Sequence, residues 1–287
     1  MKLTTIEGGS FKLDGGAMFG VVPKTLWHRL NPADENNLCP WALRCLLIET
    51  EDRKILVDTS IGNKQDAKFR SFFHPENTDL EWALKQKGFQ PEEITDVFIT
   101  HFHFDHVGGA VKRNTEGQLV PTFPQATYWS NSRHYDWACN PNPREKASFL
   151  KENFVPLKEA GVLQFIEIAD EGPTDWLPGL QVECCYGHTE AMMILHLQTE
   201  QGHMVYCADL LPSSFHFGLP YVMSYDIRPL VTIEEKKKLL DQAAENNWVL
   251  YFEHDPHTEL CTIAKDERGR HKLKQRGKLS NGQWLLE

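Results

Sequence analysis

No stretch of this 287-residue chain is apolar over the length that a bilayer-spanning helix needs, which excludes a helical membrane protein. The opening run Met1-Lys2-Leu3-Thr4-Thr5-Ile6-Glu7 lacks the apolar centre of a signal peptide, so a cytoplasmic location is expected. Basic residues are scarce. Thirty Lys and Arg against 40 Asp and Glu leave a net charge of −10, which argues against a general nucleic-acid binder. Seven cysteines are present, Cys184 and Cys185 side by side, but no pair has zinc-ribbon spacing. A reducing compartment keeps them as thiols, and their default role is that of small buried apolar groups. Internal repeats and low-complexity linkers are also absent. The expected partner is therefore a small molecule, not nucleic acid or a membrane.

What remains is an ordinary globular composition, 41% hydrophobic and 24% charged, long enough to bury a sizeable core. Strands are expected near 3–13, 42–50, 53–58, 94–100, 126–131, 163–168, 180–186, 193–199, 203–208 and 248–253. Helices are expected near 78–88, 131–138, 143–160 and 234–246, the last with Thr232 near a capping position. Residues 31–40 and 138–146, rich in Asn and Pro, read as loops. The basic stretch from Lys265 to Lys278 contains a turn at Asp266-Glu267-Arg268-Gly269 and reads as a solvated hairpin. This order fits an α/β protein with two sheets and outer helices.

The chemistry concentrates in His101-Phe102-His103-Phe104-Asp105-His106, followed by Val107-Gly108-Gly109. The apolar run 94–100 before it reads as a buried strand, so the cluster lies where a strand ends and the chain turns. Side chains two apart in an extended segment point the same way, so His101 and His103 can grip one ion. Asp105 and His106, past the bend, can face a second. Imidazole suits Zn and Fe, and carboxylate tolerates Mn, Fe and Zn. Three later sites repeat the design of an apolar strand followed by a ligand: Gly187-His188-Thr189, Asp209 after 203–208, and His254 after 248–253.

These residues resemble the metallo-β-lactamase-fold hydrolases, with the HxHxDH motif at 101–106 and the later ligands His188, Asp209 and His254. The resemblance spans roughly residues 1–260 and implies a four-layer αββα sandwich with a dinuclear metal site. It implies His101, His103 and His188 on one ion, Asp105, His106 and His254 on the other, and Asp209 bridging. The segment Asp14-Gly15-Gly16-Ala17-Met18-Phe19-Gly20-Val21-Val22-Pro23-Lys24, then Leu26-Trp27, is similar to the quorum-quenching N-acyl-homoserine-lactone lactonase branch. One domain is expected, with an extension at about 14–40 and a hairpin or tail at about 262–287. The family also implies a homodimer through the amino-terminal segment.

Two divalent ions, zinc by default with iron, manganese or cobalt fitting the same ligands, would hold a bridging hydroxide at neutral pH. Asp105 would orient it and carry its proton, and Asp209 would set the spacing of the ions. Asp58 is a candidate to orient a ligand histidine. The resemblance implies opening of a lactone ring. Met18, Phe19, Trp27, Phe102, Phe104 and Tyr221 are candidates for an acyl wall. The lactonases carry a Tyr after the bridging Asp; here Tyr221, Tyr225, His216 or Ser213 could stand in its place. The segment His188-Thr189-Glu190-Ala191 has Ala where the family often has Gly, which predicts a slightly different turn. Phosphotriester, phosphodiester and glyoxalase II-like thioester hydrolysis share the ligand set. A metal-binding sensor is the non-enzymatic alternative.

Overall fold

The computed structural model describes residues 1–169 and 171–287. Among them the strands are β1 Lys2–Asp14, β2 Leu38–Glu49, β3 Lys54–Val57, β4 Asp96–Phe98, β5 Val111–Arg113, β6 Leu119–Pro121, β7 Thr127–Ser130 and β8 Leu163–Phe165. They continue as β9 Thr174–Leu177, β10 Leu180–Cys185, β11 Met192–Thr199, β12 Gly202–Tyr206, β13 Val249–Tyr251, β14 Leu260–Lys265, β15 His271–Ser280 and β16 Gln283–Leu286. One sheet has the order β1-β2-β3-β4-β7-β8, a second β16-β15-β14-β13-β12-β11-β10-β9, and β5-β6 form a small ribbon. The expected α/β class is what the chain adopts.

The chain divides into two compact units. The first comprises Met1–Phe11 and Ala42–Glu167, the second Lys12–Trp41 and Ile168–Glu287. In the first unit β3, β4, β7 and β8 pair in parallel. Ile6, Leu47, Leu56, Val97, Tyr128 and Phe154 are buried in its core. Among the described residues of the second unit only β12 and β13 pair in parallel, Tyr206 opposite Tyr251. The basic segment forms the β14–β15 hairpin, closed by Gly269 N–H donating to Asp266 O over 2.8 Å.

Several elements differ from the sequence reading. Residues 143–160 are not one helix but a turn, the short 3₁₀ turn Lys151–Asn153 and the helix Val155–Glu159. The Asn142 side chain accepts the N–H groups of Arg144 and Glu145 and folds the chain into a turn. The helix expected from Glu234 begins at Pro229, where proline's fixed φ and missing N–H suit a first turn. Arg228 is therefore the cap, and Thr232 lies inside the first turn, its hydroxyl 3.5 Å from Arg228 O. The strands before the candidate ligands are shorter than expected, so each ligand sits two or more residues past a strand end, in short irregular segments.

Candidate metal centre

In the first unit, parallel pairing of β3 with β4 sets two strand ends side by side. Asp58 leaves β3, its N–H donating to Phe98 O over 2.9 Å, with φ at 56°. His101, His103, Asp105 and His106 follow β4, and all four are buried. The buried Asp58 carboxylate organises them. Oδ1 accepts Thr100 N–H at 2.8 Å, while Oδ2 accepts the Thr100 hydroxyl at 2.7 Å and faces His106 Nδ1 at 3.1 Å. With its proton given to Asp58, the Thr100 oxygen is left to accept from His101 Nδ1, 3.0 Å away. One carboxylate thereby places the Nδ1 proton on both His101 and His106, leaving a lone pair on each Nε2.

His101 Nε2 lies 3.1 Å from His103 Nδ1. Two nitrogens each ~2.05 Å from one tetrahedral zinc would be about 3.3 Å apart. His106 Nε2 lies 3.9 Å from Asp105 Oδ2. Between the first two ligands the backbone is held from outside: Phe102 N–H donates to His134 Nε2 over 2.8 Å. The turn that follows is tightly seated. A Cβ on Gly108 would come within 2.1 Å of Ile61 O, so only glycine fits there.

In the second unit the parallel register explains the ligand positions. Asp209 is three residues past Tyr206, and His254 is three past Tyr251, the paired residues. Asp209 faces His188 Nε2 through Oδ2 at 3.2 Å and His254 Nε2 through Oδ1 at 3.3 Å. A carboxylate with each oxygen turned to a different imidazole is a geometry suited to bridging two cations. His188 Nδ1 lies 2.8 Å from Asp226 Oδ1, which fixes its tautomer as Asp58 fixes that of His106. Glu235 accepts the N–H groups of Tyr186 and Gly187 and so clamps the loop carrying His188. Gly187 has no side chain because a Cβ would sit 2.4 Å from Thr232 N. Asp255 accepts the N–H groups of Ser214, His257 and Thr258 and braces the loop carrying His254.

The donor sets fit divalent metals. All seven candidates are buried, they offer only imidazole and carboxylate, and three of the five histidines have Nδ1 engaged by an acceptor.

Ala191 adopts φ 54°, so the alanine keeps a left-handed, glycine-type turn. A side chain there costs roughly 1–2 kcal/mol. Ala191→Gly is expected to raise stability by up to about 1 kcal/mol after the entropy of the freer unfolded glycine is subtracted, measurable as a higher urea midpoint. An unchanged midpoint would show that the turn is not strained.

The candidate acyl-wall residues fall in different places. In the second unit Phe19 stacks on Trp27 at 5.3 Å and on His216 at 5.0 Å, with Tyr221 edge-on at 6.1 Å. Met18, Phe19 and Trp27 are buried, and Tyr221 and Tyr225 half-buried. His216 is buried, its Nε2 donating to Met18 O at 3.0 Å and its Nδ1 accepting from Ser213 Oγ at 2.7 Å. Burial pushes its pKa down to about 3, so the imidazole stays neutral. In the first unit Phe102 stacks on His134 at 5.2 Å, and Phe104 packs on Phe73 at 4.7 Å. His134, Asp226, Glu235 and Asp255 had no sequence signal, since each acts from a distant chain position.

Comparison with known proteins agrees with this chemistry. Residues 42–113 match the family described as the metallo-beta-lactamase superfamily. A probable metallo-hydrolase of Mycobacterium tuberculosis is 33% identical over 287 residues, covering 87% of each chain. An N-acyl homoserine lactonase of Bacillus thuringiensis is 25% identical over 244 residues, covering 80% of this chain and 86% of that one. The crystal structure of a probable metal-dependent hydrolase from Staphylococcus aureus superposes with a TM-score of 0.84 at 26% identity, covering 95% of this chain and 96% of that one.

Proposed function

Because the chain belongs to the metallo-beta-lactamase superfamily and is a metal-dependent hydrolase, we propose that it opens the lactone ring of N-acyl-homoserine lactones. Under this reading His101, His103 and His188 hold one divalent ion, Asp105, His106 and His254 the other, and Asp209 both. The observation that carries it is the Asp209 carboxylate, with its oxygens 3.2 and 3.3 Å from the Nε2 atoms of His188 and His254. The lactonase named above, similar over 80% of this chain, supports the substrate class.

When bound, two such ions, zinc by default, would supply a water activated near neutral pH and a Lewis acid for a carbonyl oxygen. Asp105 orients that water and takes its proton. The ring oxygen leaves with the proton that Asp105 returns. Asp58 and Asp226 keep protons on the Nδ1 atoms of His106 and His188, so that Nε2 is the ligating nitrogen. Tyr221, half-buried and edge-on to the buried Phe19, offers the apolar surface for the acyl chain. A cytoplasmic reaction is part of this reading, since a reducing compartment keeps thiols reduced.

The test is proton release by metal-loaded protein on N-acyl-homoserine lactones of short and long chain, with γ-butyrolactone, a thioester and a phosphotriester alongside. The expected result is a kcat/KM that rises at least tenfold with chain length. Turnover confined to the thioester or the phosphotriester would sink the lactonase reading.

A further inference from the structure

The second unit contains a cavity of about 1100 Å³ whose lining shares Tyr221 alone with the residues assigned to the proposed reaction. Its lining includes Arg29, Lys237, Lys265, Arg270, Lys272 and Arg276, in a chain whose net charge is −10. Asp241 is the single carboxylate among the described lining residues. It is already bound by Lys237 at 2.6 Å, Lys265 at 2.9 Å and His271 at 2.9 Å. Arg270 is paired with Asp266 at 2.7 Å. Among the described residues no carboxylate lies within 4.0 Å of Arg29, Lys272 or Arg276; Arg276 Nε donates to Thr258 Oγ1 at 3.2 Å, and the charge of all three groups is left without a counterion. Like charges gathered in a concave site repel one another and raise the local concentration of anions.

The remaining wall is apolar and aromatic, with Phe215, Phe217, Tyr221 and Leu273. Phe215 and Tyr221 are half-buried, so their rings are held by packing yet still present a face. A ligand that satisfies both surfaces has an aromatic ring to lie on Phe215 and at least two negative charges for the guanidinium and ammonium groups. We propose that this cavity is a binding site for a nucleoside diphosphate. The planar base packs on the aromatic wall, and the diphosphate is held by Lys272, Arg276 and Arg29.

The test is isothermal titration of the zinc-loaded protein with ADP, adenosine and pyrophosphate. Excess Mg²⁺ is present, and zinc content is measured before and after. The same titrations are run on Lys272→Glu and Arg276→Glu. Both side chains are exposed, so the fold should survive, and ester turnover checks that it has. ADP is expected to bind at least tenfold more tightly than either adenosine or pyrophosphate. Each charge reversal is expected to weaken ADP by about tenfold or more, the scale of a hydrogen bond to a charged group. Absence of heat with millimolar ADP would overturn the proposal. Equal affinity for pyrophosphate would remove the role of the aromatic wall and overturn it as stated. ADP binding that both variants leave undiminished would place the nucleotide elsewhere, and would overturn it too.

Discussion

Asp209→Ala is expected to leave a folded chain that holds at most one tightly bound metal ion and hydrolyses its substrate on the order of 10³-fold more slowly. The carboxylate makes two contacts, with His188 on one oxygen and His254 on the other. Alanine removes a ligand from both proposed ions at once and leaves two imidazoles with no anion between them. Two dications brought close repel strongly, and a shared carboxylate offsets that repulsion. Without it one site should empty. A lost metal removes several kcal/mol of stabilisation from the developing charge, and each 1.36 kcal/mol is tenfold in rate. Metal content per chain, read by elemental analysis beside kcat, decides the matter. Two ions per chain with kcat undiminished would refute the bridging role.

Asp58→Asn should be nearly as damaging to metal binding and far less damaging to the fold than Asp58→Ala. Asparagine keeps an oxygen for Thr100 N–H but presents an N–H₂ group toward His106 Nδ1 and the Thr100 hydroxyl. His106 must then move its proton to Nε2, the atom that has to carry the ligating lone pair. Loss of such an orienting partner typically costs 10–100-fold in metal affinity or activity, and that is the expected loss here. Alanine instead leaves three buried partners unsatisfied, at about 1–3 kcal/mol each. The pair of variants separates orientation from stability, through zinc affinity by competition with a chelator and through urea unfolding. Equal zinc affinity in wild type and Asp58→Asn would show that the carboxylate serves the fold alone.

The candidate ligands were legible because metal coordination admits few residue types, and strand ends deliver them at short, regular spacing. His101 and His103 lie two apart, and Asp209 and His254 each follow an apolar run. What could not be read is the support. Asp226 meets His188 across 38 residues and Glu235 meets Gly187 across 48, with no local pattern to mark either. The ten strands expected were legible from their apolar runs, whereas β5, β6, β9 and β16, short and largely half-exposed, carry no such run. The helix expected at 143–160 fails because Pro156 has no N–H to continue a helix through its interior and stands instead in the first turn of Val155–Glu159, while Ser148 O accepts from Phe104 N–H. The one-turn helices Gly15–Phe19 and Lys24–Trp27 are too short for any periodicity to reveal them.

The division of the chain into units has a consequence for how it is made. Residues Lys12–Trp41 belong with Ile168–Glu287, although the whole of Ala42–Glu167 is synthesised between them. During translation the first unit has all its residues once Glu167 has emerged. The early segment, with Trp27 and Phe19, meets the rest of its unit only when the last 120 residues follow. At bacterial-like rates of about 5–20 residues per second, that is a delay of roughly 6–24 s. Over that interval only contacts within the segment, such as Phe19 on Trp27, can cover its aromatic rings.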